Sequence, residues 1–89
     1  MAGIRYTRHA HNKFEILRRL GFQVTPEQVE DTVLAPERVT ADPRGRGRFI
    51  AQKRIAERHV LRVVYREEGE TRVVITFYPG RRERYEVEI

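Results

Sequence analysis

The chain is 89 residues long, which leaves room for one domain and one modest core. It contains no cysteine and no serine, which excludes disulfides, thiolate metal sites and a Ser-His-Asp triad. Eighteen Lys and Arg face 13 Asp and Glu, for a net charge of +5, a balance that points to acidic partners such as nucleic acid.

Ile4 to Thr7 reads as a short first strand. A helix is predicted over Arg8 to Leu20, with Thr7 as N-cap and Gly21 just past its end. Ala10, Phe14 and Leu17 form its apolar stripe, broadened by Ile16 and Leu20. In the second helix Thr25 is the N-cap, Pro26 stands at N1 and Gln28 completes a capping box. Val24 and Val29 make a hydrophobic staple, Val29, Val33 and Leu34 point inward, and the helix stops before Pro36. The short link between the helices predicts an antiparallel pair. A weak strand follows at Arg38 to Ala41, then a flexible loop at Asp42 to Gly47. Three more strands are predicted at Phe49 to Ile55, His59 to Arg66 and Thr71 to Tyr78.

The last two strands can be registered. A three-residue turn, Glu67-Glu68-Gly69, pairs Arg66 with Glu70, Val63 with Val73 and Leu61 with Ile75. Leu61, Val63, Tyr65, Val73, Ile75 and Phe77 then share a core face. Val60, Arg62, Val64, Arg72, Val74, Thr76 and Tyr78 share the other. A two-residue turn that put Arg62 opposite Ile75 would mix the faces, so the first register is preferred. Arg62 thus points away from the core in the middle of a central strand; a surface ion pair is its alternative role. The fold expected is α+β, one domain over residues 1–89: a strand, two antiparallel helices covering one face, and an antiparallel sheet of three to four strands.

The charge is segregated. Pro43 to Ile55 carries Arg44, Arg46, Arg48, Lys53 and Arg54 with no anion, and Arg81, Arg82 and Arg84 cluster near the C-terminus. Sixteen of the cations are arginine, whose planar fork grips phosphate bidentately. No phosphate-binding glycine motif is present, and His9, His11 and His59 lack a zinc spacing, so neither metal nor cofactor is expected. What remains is cations interleaved with aromatics: Lys53, Arg54, Arg62, Tyr78, Arg81, Arg82, Arg84 and Tyr85. Metal-free RNA cleavage needs a base for the 2′-hydroxyl, charge stabilisation at phosphorus and an acid for the leaving oxygen. Arginine suits the second task, and Lys, His, Glu or Tyr the other two.

The run KRIAERHVLRVVYREEGETRVVITFYPGRRERYEV resembles the C-terminal half of RelE-like toxin ribonucleases. The shared features are a basic strand, an Arg-x-Val-Tyr strand, a Val-rich strand ending in Gly, and an Arg-Arg-Glu-Arg segment. The opening RHAHNKFEILRRLGF and TPEQVEDTVLAPERV are similar to a related group of small domains and, more loosely, to the BrnT toxins. By position, the resemblance makes Lys53 a proton acceptor or phosphate contact, and Arg62 and Arg82 the two arginines at the scissile phosphate. The family's C-terminal Tyr falls at Glu88 here, and Tyr85 takes its place if this segment is helical but not if it is a strand. His9 is a further acid or base candidate, with packing under the sheet edge as its alternative. Arg44, Arg46, Arg48, Arg54, Tyr78, Arg81 and Arg84 are the expected RNA contacts.

The resemblance implies an endoribonuclease toxin that cleaves RNA without metal, on the ribosome or off it, and is held by an acidic antitoxin protein; the absence of cysteine suits a cytoplasmic location. Two other readings stay open: an RNA- or partner-binding module that does not cleave, and a structural domain that only pairs with an acidic peptide. No apolar run approaches the ~20 residues that span a bilayer, and the N-terminus has no signal-peptide core, so no membrane partner is expected.

Overall fold

In a computed structural model of the chain, residues 3–86 are described. The element order is β1 (Gly3–Tyr6), α1 (Arg8–Arg19), α2 (Pro26–Leu34), β2 (Arg38–Ala41), β3 (Arg48–Arg54), β4 (His59–Glu68), β5 (Thr71–Arg81) and α3 (Arg82–Tyr85). Among the described residues no helix is long and apolar enough to cross a membrane.

Thr7 starts α1 as the sequence predicts. Its hydroxyl accepts from the Ala10 amide at 3.1 Å and donates to the Ile75 carbonyl at 3.0 Å, so the cap also fixes the helix to β5. Ala10 and Leu17 are buried, and the Phe14 ring lies 4.6 Å from that of Phe77. Arg18 and Arg19 in the last turn suit the negative end of the helix dipole and both reach Glu15. The capping box of α2 is complete: Gln28 N–H donates to Thr25 at 3.2 Å and Thr25 N–H to the Gln28 amide oxygen at 3.0 Å. Val29 and Val33 are buried, but Leu34, expected inward, is exposed. Thr32 takes the inward position, its hydroxyl satisfied by the Gln28 carbonyl at 2.7 Å.

The sheet has five strands in the order β1-β5-β4-β3-β2. The last four are antiparallel neighbours, as expected, but β1 joins the same sheet parallel to β5, which makes it mixed. The expectation of a purely antiparallel sheet of three to four strands is corrected on this point. α1 packs chiefly on β5 and α2 on β4 and β3. Each helix therefore finds its main partner in the sheet rather than in the other helix. The core between them holds Ala51, Leu61, Val63, Tyr65, Val74 and Phe77 from the strands.

The hairpin register is corrected too. Glu68 pairs with Thr71 across a Gly69-Glu70 turn in which Gly69 has φ of 60°, the left-handed region that favours glycine. Tyr65 pairs with Val74 but Val64 with Thr76, so Ile75 is an extra, bulged residue. The bulge shifts the side-chain alternation of β5 by one. Below it, Arg72 and Val74 face the helices and Val73 faces away, opposite to expectation; above it, Phe77 faces the helices and Thr76 and Tyr78 face away, as expected.

Candidate nucleic-acid interface

Directly paired residues share a face and neighbours along a strand alternate, so the register assigns every strand residue to a side. Facing away from α1 and α2 are Arg5 of β1, Arg38 of β2, Arg48 and Arg54 of β3, and Arg62 and Arg66 of β4. Glu68 is the acidic strand residue on that side among the described residues. Six arginines against one glutamate on one sheet face is a segregated basic surface, which a general distribution of salt bridges would not produce. Arg48 and Arg66 stand directly opposite one another, an arrangement that is unfavourable in isolation. Glu68 offsets it by pairing with Arg66 at 2.7 Å and with Arg5 at 3.1 Å.

Arg62 lies at the centre of this surface, with Gln52 opposite it on β3 and Tyr78 opposite it on β5. Its Nε donates to the Tyr78 hydroxyl at 3.0 Å and its Nη1 to the Gln52 amide oxygen. The guanidinium carbon sits 4.3 Å from the centroid of the Tyr85 ring, within cation–π range. Gln52 is only 5% exposed, and its amide nitrogen donates to the Tyr85 carbonyl at 3.3 Å. Gly80 makes room for this arrangement, since a Cβ there would lie 2.3 Å from the Tyr85 ring. The result is a half-buried guanidinium held by a phenol, an amide and an aromatic face. No carboxylate among the described residues forms an ion pair with it.

Beside it, α3 brings a second group of cations. Glu86 bridges two arginines, accepting from Arg54 Nε at 2.7 Å and from Arg82 Nε at 2.6 Å. These hydrogen bonds, from Arg54 first and then Arg82, hold the Glu86 carboxyl below the usual carboxylate range, and Glu86 in turn pushes the Arg54 guanidinium up. Arg82 is fixed further by donating from Nη1 to the Glu57 carbonyl at 2.8 Å. Arg84 lies 5.6 Å from the Tyr85 ring.

The structure thus gathers Arg62, Arg54, Arg82, Arg84, Tyr78 and Tyr85 on one side, with Arg48 further along the same face. It does not bring Lys53 to them. Lys53 faces the helices and pairs with Asp31 of α2 at 2.7 Å, because adjacent strand residues point to opposite sides and Arg54 takes the arginine side. Arg81 is likewise turned to the other side of β5 and reaches Glu83 at 3.5 Å. Arg44 and Arg46 lie in the loop before β3, at the end of the sheet remote from α3. The length of β3 separates the two basic ends by roughly 20 Å. His9 is exposed at the β5 edge, its Nε2 at 3.2 Å from the Thr76 hydroxyl. Thr76 and Tyr78 share the arginine face, roughly 7 Å apart along the strand. Arg82–Tyr85 form one helical turn with Glu86 as C-cap; the rest of the segment lies outside the described residues. Whether Tyr85 takes the place of the family's tyrosine depends on the backbone up to Glu88, which lies outside the described residues.

Sequence reasoning missed Arg5, Arg38, Arg66, Gln52 and Glu86 as members of this surface. The signal for part of it was present in the even spacing of Arg48, Gln52 and Arg54 along one strand, which needed the β3–β4 register to be used. Among the described residues no group of three His, Cys, Asp or Glu could hold a metal ion. Compared with family models, curated proteins and solved structures, the chain matches none of them.

Proposed function

We propose that the chain binds single-stranded RNA across the sheet face opposite α1 and α2, with Arg62 as the central phosphate seat. One observation carries this reading: a half-buried guanidinium whose partners among the described residues are all neutral, in the middle of a surface of like charge. A cation withdrawn from water and left without a counter-ion favours an incoming anion. The neighbouring tyrosines offer rings on which bases can stack, worth about 1–3 kcal/mol per base. Binding should fall with salt along a log–log slope of roughly 0.7 per phosphate contact on single strands. A titration of labelled RNA at several salt concentrations tests the reading; affinity that is absent or indifferent to salt removes it.

A second reading, metal-independent cleavage as in the RelE-like toxins that the sequence resembles, is favoured by the hydrogen bond between Tyr78 and Arg62. It places a proton-carrying group beside the phosphate seat, with His9 at the adjoining strand edge. In that chemistry the 2′-hydroxyl surrenders its proton and attacks phosphorus, and the departing 5′-oxygen takes up a proton. Arg62 would stabilise the charge that builds up on phosphorus. Lys53, paired with Asp31 on the other side of the sheet, has no part in this reading. Fragments ending in 2′,3′-cyclic phosphate, formed in chelator with or without translating ribosomes, support this reading. Intact RNA under both conditions leaves the binding function alone.

A further inference from the structure

The Glu86 bridge points to a second anion site on the same surface. We propose that Arg54 and Arg82 form a phosphodiester seat which Glu86 occupies in the free protein, and that RNA binds by displacing it. The inference rests on the Arg62 reading above and deepens it. Each oxygen of the Glu86 carboxylate takes one guanidinium Nε, at 2.7 and 2.6 Å. The two non-bridging oxygens of a phosphodiester present the same forked acceptor to a pair of arginines.

Arg82 keeps a side-chain anchor that does not depend on Glu86, and Arg54 keeps one at its backbone. Arg82 donates to the Glu57 carbonyl at 2.8 Å, and the Arg54 backbone amide donates to Glu37 at 2.6 Å. The Arg82 guanidinium is therefore held in place when the carboxylate leaves, and that of Arg54, fixed at its backbone, can turn to the incoming phosphate. Glu86 is the C-cap of a four-residue helix, an element with little intrinsic stability of its own. It directly follows Tyr85, whose ring covers Arg62. Moving Glu86 away loosens that cover, so the two seats open together, and Tyr85 becomes free to stack on a base.

The exchange of one anion for another predicts a specific pattern. Glu86→Gln removes the resident anion while keeping the side chain's shape. Affinity for an unstructured RNA octamer should rise about three- to fivefold, the scale of two partly exposed ion pairs no longer competing. The salt slope should steepen by about 0.7, because arginines without Glu86 carry counter-ions that RNA must release. Glu83→Gln makes the same change of charge on the same helix at an exposed residue that pairs with Arg81, and should leave both quantities nearly unchanged. Equal tightening by both variants, or none by Glu86→Gln while wild-type binding stays salt-dependent, overturns the second seat and leaves the Arg62 reading standing. No binding by any of the three proteins overturns both. If Glu86→Gln fails to fold, the wild-type protein carries the test through the Nε–H resonances of its arginines. RNA should shift those of Arg54 and Arg82 along with that of Arg62, and a shift confined to Arg62 overturns the proposal.

Discussion

Replacing Arg62 with Ala has two separable consequences, because this side chain serves both the fold and the proposed ligand. In the free protein its loss leaves the amide oxygen of Gln52, a residue 5% exposed, without its donor. An unsatisfied buried polar group costs about 1–3 kcal/mol. The stacking on Tyr85 at 4.3 Å also goes, at about 0.5–2 kcal/mol for a partly desolvated pair. Removing a half-buried charge returns some of this. A net destabilisation of about 2–3 kcal/mol is expected, which urea unfolding followed by circular dichroism measures directly. Toward RNA, a charge-assisted contact worth about 1.5–3 kcal/mol disappears, so affinity should fall by roughly 10- to 100-fold. Fluorescence anisotropy with a labelled octamer, run where the variant remains folded, reads that loss. Arg62→Lys should recover part of the affinity but little of the stability, since an ammonium cannot reproduce the planar fork. Binding by folded Arg62→Ala within twofold of wild type would refute the seat, and unchanged stability would refute the account of Gln52.

Gly80→Ala places a methyl 2.3 Å from the Tyr85 ring, so it should push the ring off Arg62 and cost about 1–3 kcal/mol by overpacking, seen as a changed Tyr85 ring signal in NMR. Lys53→Met, on the helix side beside Asp31, should change RNA affinity far less than Arg54→Met, measured in the same anisotropy assay. Glu86 is held below the usual carboxylate range by Arg54 and Arg82. Its contribution to docking α3 is therefore complete above the ordinary carboxyl value of about 4.3 and lost as pH falls through the lower folded value; an acid titration of the Tyr85 signal should show that transition, and Glu86→Gln should lack it. Thr25→Ala should destabilise the fold by about 1 kcal/mol through loss of the capping box, without altering RNA affinity.

Local chemistry was the legible part of this chain. The α2 cap was readable because Thr25, Pro26 and Gln28 meet a requirement set within a few residues. The strand positions were readable from β-branched runs and their punctuation. The outward direction of Arg62 was also readable, although the pairing behind it was not. The turn at Gly69-Glu70 and the bulge at Ile75 each displace the register, and the two displacements together restore the alternation at Arg62 and Tyr78. Val73 and Val74, between turn and bulge, show what a single displacement does. Two valines side by side carry no periodic signal to reveal the bulge. The parallel pairing of β1 with β5 joins the two ends of the chain and leaves no local trace. The adjacency of Lys53 and Arg54 does carry a warning, because both cannot face one side of a strand. Gln52 and Glu86 escaped notice for a different reason: a neutral amide and an anion look out of place in a basic surface until their bonds to Arg62, Arg54 and Arg82 are seen.

In the proposed function one face of the sheet, and not the helices, meets RNA. Backbone amide chemical shifts of the folded protein, followed as an unstructured RNA octamer is added at low salt, test it most directly. The largest changes are expected along Arg48 to Arg54, Arg62 to Arg66 and Tyr78 to Tyr85, reversed by added salt, with α1 and α2 nearly still. Shifts centred on α1 and α2, or no shifts in a protein that remains folded, would contradict it.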